Sequence, residues 1–267
     1  MKIGLTQMDI VWENKAKNMV TVTKLLEQAQ ASGVELIVFP EMTLTGFTMN
    51  TSFAGEEMLF SETLRFFKDC SRKYEMAIAF GFVEDFGEEY YNKLMIVSKG
   101  RILYDYDKIH PFSYGEEGRH YIGGHEVKTV DINEVAVSGF VCYDLRFPEI
   151  FQAVSDQSDL MVVIADWPAS RADHWLALLK ARAIENQSYM AGVNCVGDID
   201  GLSYSGDSSI FDPLGQMIGT LHGQEGIVVC DIGEDAERLR QKFQMKCDRR
   251  NDFYIQQYEK IRKVQSL

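Results

Sequence analysis

Paired cysteines are missing from this chain. Its five, Cys70, Cys142, Cys195, Cys230 and Cys247, are odd in number, widely spaced and contain no CxxC pair. That argues against a disulfide scaffold and a structural zinc site, and it fits a reducing cytoplasm. The five histidines likewise fall in no HExxH or comparable ligand spacing, so no metal site is expected. Basic residues are in deficit, 27 Lys and Arg against 40 Asp and Glu, for a formal net charge of −13. A nucleic-acid surface needs clustered Lys and Arg, so no nucleic-acid partner is expected. No apolar run approaches membrane length, and no membrane partner is expected. The amino-terminal ten residues lack a long apolar h-region and read as a strand, so no signal peptide is expected. Linkers, charge blocks, low-complexity stretches and solenoid repeats are absent as well, which favours one domain for 267 residues.

What is present is an alternation of apolar strands and amphipathic helices. A strand over 2–10 is followed by Asn14, an N-cap for a helix reaching about Ser32, whose Ala16, Met19, Val22, Leu26 and Ala29 step by three and four. Gly33 stops that helix before a short buried strand over 34–39. A polar loop over 43–55 leads to a second helix carrying Met58, Phe60, Leu64, Phe67 and Cys70 or Ser71 on one face. Strands over 76–83 and 94–97 come next, and Lys99-Gly100 reads as a hairpin turn into 101–106. Residues 113–126 read as an extended glycine-rich loop. A strand ending at Cys142, a short helix over 148–154, a buried strand over 160–165 and a long helix over 172–189 follow. Strands near 191–196, 208–212 and 226–232 and a charged helix from Glu234 complete the chain. The order βαβαββ occurs twice, which implies α/β architecture with mixed sheets. Periodicity leaves open whether the two halves stack as a four-layer sandwich or join in one doubly wound sheet.

Three reactive residue types end three apolar runs. Cys142 closes Val135–Val141, Glu41 closes Leu36-Ile37-Val38-Phe39-Pro40, and Lys108 closes 102–107. Strand carboxyl ends are where open α/β folds present their chemistry. A cysteine nucleophile needs a base or a positive neighbour, and Glu41 and Lys108 supply one of each. The run before Glu41 predicts partial burial, which raises a carboxyl pKa toward the range useful for shuttling protons. Lys108 would stabilise both a thiolate and a carbonyl-derived oxyanion. Each residue also has a plainer reading: a packed thiol, a surface glutamate closing a strand, an exposed lysine. Glu117, in the glycine-rich loop, gains interest only if that loop folds back over the thiol. His110, two residues beyond Lys108, is read as structural, which leaves little support for a Cys-His protease. Trp167, at another strand end, is a pocket wall or a core residue.

Together these segments resemble the nitrilase, or carbon–nitrogen hydrolase, superfamily. Phe39-Pro40-Glu41 matches its glutamate motif and Tyr106-Asp107-Lys108-Ile109-His110 its lysine motif. Val141-Cys142-Tyr143-Asp144-Leu145-Arg146-Phe147-Pro148 matches its cysteine motif, and Glu117 an additional glutamate of many members. The resemblance runs from Lys2 to about Ile232 and leaves 233–267 as a carboxyl-terminal extension of a single domain. It implies an αββα sandwich that forms a homodimer or a higher homo-oligomer. It also implies hydrolysis of a small-molecule amide or nitrile without a metal or any other cofactor. The expected catalytic set is Glu41, Lys108, Cys142 and Glu117, with the Tyr143 backbone N–H beside Lys108 at the oxyanion. Phe112, Tyr143, Trp167 and Arg171 are the expected substrate-binding residues, with Arg171 the candidate anchor for a substrate carboxylate.

Within the superfamily, Asp166-Trp167-Pro168-Ala169, His174-Trp175, 181–187, 204–208 and 212–215 resemble the omega-amidases of bacteria. Those enzymes hydrolyse the side-chain amide of 2-oxoglutaramate and 2-oxosuccinamate. The alternatives are another small-amide hydrolase, on N-carbamoyl amines or deaminated glutathione, and a non-catalytic ligand-binding member. The intact Glu41, Lys108 and Cys142 argue against the last. Tyr143-Asp144 after the cysteine argues against a true nitrilase, where Trp-Glu is common.

Overall fold

The computed structural model describes residues 1–265. Strand β1 (Lys2–Gln7) leads into α1 (Lys15–Ala31), β2 (Leu36–Val38), a one-turn α2 (Thr51–Ala54) and α3 (Glu62–Lys73). An antiparallel meander follows: β3 (Ala77–Phe86), β4 (Glu89–Ser98) and β5 (Arg101–Asp107). After α4 (Glu117–His120) and β6 (Val130–Ile132) the scheme repeats as β7 (Val135–Val141), α5 (Pro148–Val154), β8 (Leu160–Ala165), α6 (Ala172–Asn186) and β9 (Tyr189–Asn194). Strands β10 (Val196–Ile199), β11 (Leu202–Phe211), β12 (Met217–His222) and β13 (Gly226–Asp231) precede α7 (Asp235–Lys242) and α8 (Asn251–Gln265).

The strands form two mixed sheets. One runs β13-β1-β2-β3-β4-β5, the other β10-β11-β9-β8-β7-β6 with β12 on β11. Alternation along β2 shows how they are layered. Leu36 and Val38 face the apolar core shared with Val137, Val141 and Val162 of the second sheet, whereas Ile37 and Phe39 face Val22, Leu26 and Phe67 of α1 and α3. On the far side, Phe151 of α5 and Trp175, Leu179 and Ala183 of α6 cover the second sheet. The result is the αββα sandwich, and the open choice between one sheet and two is settled in favour of two. Each fully buried Leu, Val, Ile or Phe contributes about 1.5–3 kcal/mol, so this double-sided burial fixes both sheets firmly.

Local signals placed most elements. Asn14 accepts from the Lys17 N–H and Ser61 from the Leu64 N–H, capping α1 and α3. Lys99 and Gly100, both at positive φ, make the turn between β4 and β5. The differences lie in irregular or exposed segments. The 43–55 loop holds α2, and the 113–126 loop holds α4. Strands β6, β10 and β12 were not expected; β12 is largely exposed and lacks a buried apolar run. The strand expected over 34–39 is only three residues of β2, and α6 ends at Asn186 because Gln187 turns to φ +49°. Among the described residues, no helix is long and apolar enough to cross a membrane. The expected extension over 233–267 includes α7 and α8, and its last two residues lie outside the described ones.

Candidate active site

The carboxyl ends of β2, β5, β7 and β8 converge at one point between the sheets. Glu41 follows β2 by way of Phe39 and Pro40 and is fully buried, beyond the partial burial expected. Its corner needs close approach to β3: a Cβ on Gly81 would lie 2.1 Å from the Met42 nitrogen. The Gly81 N–H instead donates to Thr43 Oγ1 at 2.9 Å. Lys108 follows β5, and the glycine-rich loop does fold back over it. Gly124 donates to the Lys108 carbonyl at 2.9 Å, and any Cβ there would strike the Asp107 carbonyl oxygen. That return places Glu117 of α4 against the lysine.

Lys108 Nζ lies 2.9 Å from Glu41 Oε1 and 2.9 Å from both carboxylate oxygens of Glu117. All three side chains are at most 1% exposed. Burial pulls the ammonium pKa down, but the charges of Glu117 and then Glu41 outweigh it and hold the group well above its ordinary value. Asn92 of β4 locks the pair of carboxylates, donating to Glu41 at 2.6 Å and to Glu117 at 2.9 Å. The Phe112 N–H donates to Glu117 Oε2 at 2.6 Å, and the Asp166 N–H to Glu41 Oε2 at 3.0 Å. Every carboxylate oxygen therefore has a donor, which is what buried charge requires.

Cys142 turns the chain at the end of β7 with φ +47°, a left-handed conformation unusual for a side-chain-bearing residue, and starts a 3-10 turn through Arg146. Burial, the negative charge of Glu41 and a hydrogen bond to that carboxylate push the thiol pKa well up, against the lowering effect of Lys108. Asp144, two residues on, anchors this corner: it accepts from Tyr106 Oη at 2.8 Å, the Val141 N–H at 3.2 Å and the His110 N–H at 3.0 Å. His110 also places Nδ1 at 2.8 Å from Asp144 and stacks on Phe147, a structural role as its position implied.

A cavity of about 80 Å³ opens beside Lys108 and Cys142. That is small against the roughly 300–1,000 Å³ of drug-sized ligand clefts, so it suits a short molecule rather than a peptide. Phe112, Tyr143, Trp167 and Arg171, the substrate-binding candidates, all line it. Glu41 and Glu117 stand behind Lys108, joined to it by the contacts given. Sequence reasoning missed other residues. Phe47, Leu202 and Tyr204 complete the apolar wall, and Asn92 carries no chemical signal in an ordinary strand. Arg146 and Asp166 also line the cavity. Asp166 follows the apolar run of β8 directly, the same strand-end signal that marks Glu41 and Cys142. Arg146 lies one helical turn beyond the nucleophile candidate.

The two arginines are held by rings. The Arg146 guanidinium sits 4.8 Å from the Trp167 centroid and that of Arg171 5.6 Å from Phe112. Arginine ion pairs among the described residues fall elsewhere, on Arg72, Arg119, Arg182, Arg238 and Arg240. The cavity is thus apolar, with two uncompensated cations at its wall, in a protein of net charge −13.

Comparison with known proteins places this site in context. The family model for carbon–nitrogen hydrolases matches residues 2–241. The omega-amidase YafV of Yersinia enterocolitica is 38% identical over 81% of this chain and 83% of its own. The 2-oxoglutaramate amidase of Bacillus subtilis is 30% identical over 94% and 98%. Among solved structures, the XC1258 protein of Xanthomonas campestris, a CN-hydrolase superfamily member with an arsenic adduct in its active site, superposes with a TM-score of 0.88. It is 30% identical, over 93% of this chain and 97% of that one. With the αββα sandwich, the family match and these relatives in agreement, the chain belongs to the carbon–nitrogen hydrolase family.

Proposed function

We propose that the protein is a thiol-dependent omega-amidase, hydrolysing the terminal amide of a short 2-oxo dicarboxylic acid monoamide such as 2-oxoglutaramate or 2-oxosuccinamate. The observation that carries the substrate class is the pair of guanidiniums, Arg146 and Arg171, without carboxylate partners on the wall of a small apolar cavity that also holds Cys142. Such a cavity favours a short molecule with one anionic end, which planar guanidiniums recognise bidentately. The names of the omega-amidase and 2-oxoglutaramate amidase relatives support the same reading.

The chemistry follows from the geometry. Glu41 takes the thiol proton as Cys142 sulfur attacks the amide carbon. The negative oxygen of the tetrahedral intermediate is stabilised by the Lys108 ammonium and the Tyr143 backbone N–H. Glu41 returns the proton to nitrogen, ammonia leaves, and a thioester remains on Cys142. Glu41, again a carboxylate, then takes a proton from water, which attacks the thioester; Glu41 passes that proton to the departing Cys142 sulfur, restoring the thiol, and the product acid leaves as its carboxylate after losing a proton to solvent. Glu117 holds Lys108 with both of its carboxylate oxygens. Neither a metal nor an organic cofactor enters any step.

We also propose a cytoplasmic homodimer. All five cysteines are free, as a reducing compartment requires. Helix α8 exposes Phe253, Tyr254, Ile255, Tyr258 and Ile261, each at 42–56%, beside a groove of about 550 Å³ reaching Glu149 and Asp156 of the α5 region. A second copy would cover that face.

Ammonia release is measured from 2-oxoglutaramate, 2-oxosuccinamate, glutamine, asparagine and carbamoyl compounds, for the parent and Cys142→Ala. The 2-oxo amides should be turned over fastest, the variant should be inert but folded, and mass spectrometry should find the acyl group on Cys142. Faster release from carbamoyl compounds would replace this reading with the carbamoylase alternative.

A further inference from the structure

Asp166 is a buried carboxyl that the steps above do not use. Its backbone N–H fixes Glu41, and the residue is one of those that line the cavity beside Cys142 while only 5% exposed. Its Oδ1 is buried and has no hydrogen-bond partner. Buried polar atoms are nearly always paired, so a lone acceptor at the edge of a reaction cavity points to a partner that arrives with the substrate. The neighbouring polar side chains differ: Glu41 and Glu117 hold Lys108 and Asn92, Asn194 bonds the Trp167 and Gly206 backbone, and Asn92, whose Oδ1 also lacks a partner, is not among the residues that line the cavity.

Resting on the amidase reading, we propose that Asp166 is a specificity-determining residue that reads the scissile nitrogen: Oδ1 accepts a hydrogen bond from the NH2 of the bound amide. A primary amide offers two N–H donors, and one of them would satisfy this acceptor. The same contact turns the nitrogen toward Glu41, whose Oε2 is held by the Asp166 N–H, for protonation as ammonia leaves. An ester, which has no N–H at that position, would leave Oδ1 unpaired. An N-substituted amide would press its substituent toward Asp166 or Glu41.

The environment makes the contact affordable for a carboxyl group. Burial, and next the charge of Glu41, push Asp166 well above the usual carboxylate range, against smaller lowering effects of the nearby Cys195 thiol and Phe47 backbone. Asparagine keeps an oxygen acceptor of the same shape and carries no charge.

The test compares 2-oxoglutaramate with the ω-methyl ester of 2-oxoglutarate, following ammonia and acid release in the parent, Asp166→Asn and Asp166→Leu. Asp166→Asn should stay within a few-fold of the parent on both. Loss of a hydrogen bond that leaves a buried partner unpaired predicts that Asp166→Leu lowers kcat/KM for the amide by about 10- to 100-fold. The ester should change little. Equal losses on amide and ester, no loss on the amide, or collapse of amide turnover in folded Asp166→Asn would each overturn the assignment, and the last holds even if Asp166→Leu does not fold. A parent that opens the ester but no primary amide would instead overturn the amidase reading itself.

Discussion

Replacing Lys108 with methionine removes the single cation between two fully buried carboxylates. The side chain keeps its length but loses three contacts of 2.9 Å, two to Glu117 and one to Glu41. Breaking a buried ion pair by deleting one partner costs about 3–5 kcal/mol, because the other charge is left uncompensated. For a chain of this size that corresponds to a fall in Tm of roughly 10 °C, at about 2–4 °C per kcal/mol. Glu41 retains donors from Asn92 and the Asp166 N–H, and Glu117 from Asn92 and the Phe112 N–H, so the fold should survive. Activity should fall by at least about 10²–10³, the usual effect of losing one oxyanion donor. Stability and catalysis can be separated by adding Glu117→Gln. Neutralising one orphaned carboxylate should recover much of the lost Tm and none of the lost turnover. Thermal unfolding by circular dichroism, with ammonia release at a fixed temperature, measures both. A single variant within 2 °C and a few-fold of the parent would refute the account of Lys108 as the hub, and so would a double variant that regains activity.

Two further outcomes follow from other parts of the molecule. Arg146→Ala and Arg171→Ala should each raise KM for 2-oxoglutaramate by about tenfold or more while changing kcat/KM for an uncharged short amide little, since one charge-assisted hydrogen bond is worth about 1.5–3 kcal/mol. Equal losses on both substrates would assign the arginines to structure alone. At Glu56, burial raises the carboxyl pKa, but hydrogen bonds from Lys15, Thr63 and Ser61 overcome it and hold the group below its ordinary 4.5. A carboxyl depressed in the folded state binds fewer protons there than when unfolded. Its contribution is therefore complete above the unfolded pKa and is lost as pH falls through the folded one. Glu56→Gln should cost on the order of 1 kcal/mol near neutral pH and flatten the fall of Tm in acid; an unchanged acid limb would show that Glu56 is not the group responsible.

The catalytic candidates were legible because each ends an apolar run: a run of buried strand must stop where the chain meets polar surroundings, and a reactive residue there is chemically conspicuous. Glu41, Lys108 and Cys142 all carry that mark, and Asp166 carries it too, although only Trp167 beside it drew notice. Asn92 carries no such mark. It lies within a strand between Tyr91 and Lys93, and nothing local distinguishes a polar side chain facing water from one facing two carboxylates.

Periodicity determined the helices α1, α5 and α6 and the buried strands, with Asn14 capping α1, because the apolar spacing that buries a face is written in the chain itself. Exposed β12 and the short helices inside polar loops have no such spacing, and they form only because neighbouring strands and turns supply partners. The sequence also determined which residue types were available for thiol chemistry. Tertiary structure alone decided that two sheets stack face to face. Local period describes which side of a strand is apolar, not which distant strand will cover it. The same holds for the site: the glycine-rich loop had to return before Glu117 could meet Lys108. Arg146, Arg171 and Asp166 acquired a common cavity only when β7, β8 and the turns after them were brought side by side, contacts between residues far apart in the chain that no local pattern encodes.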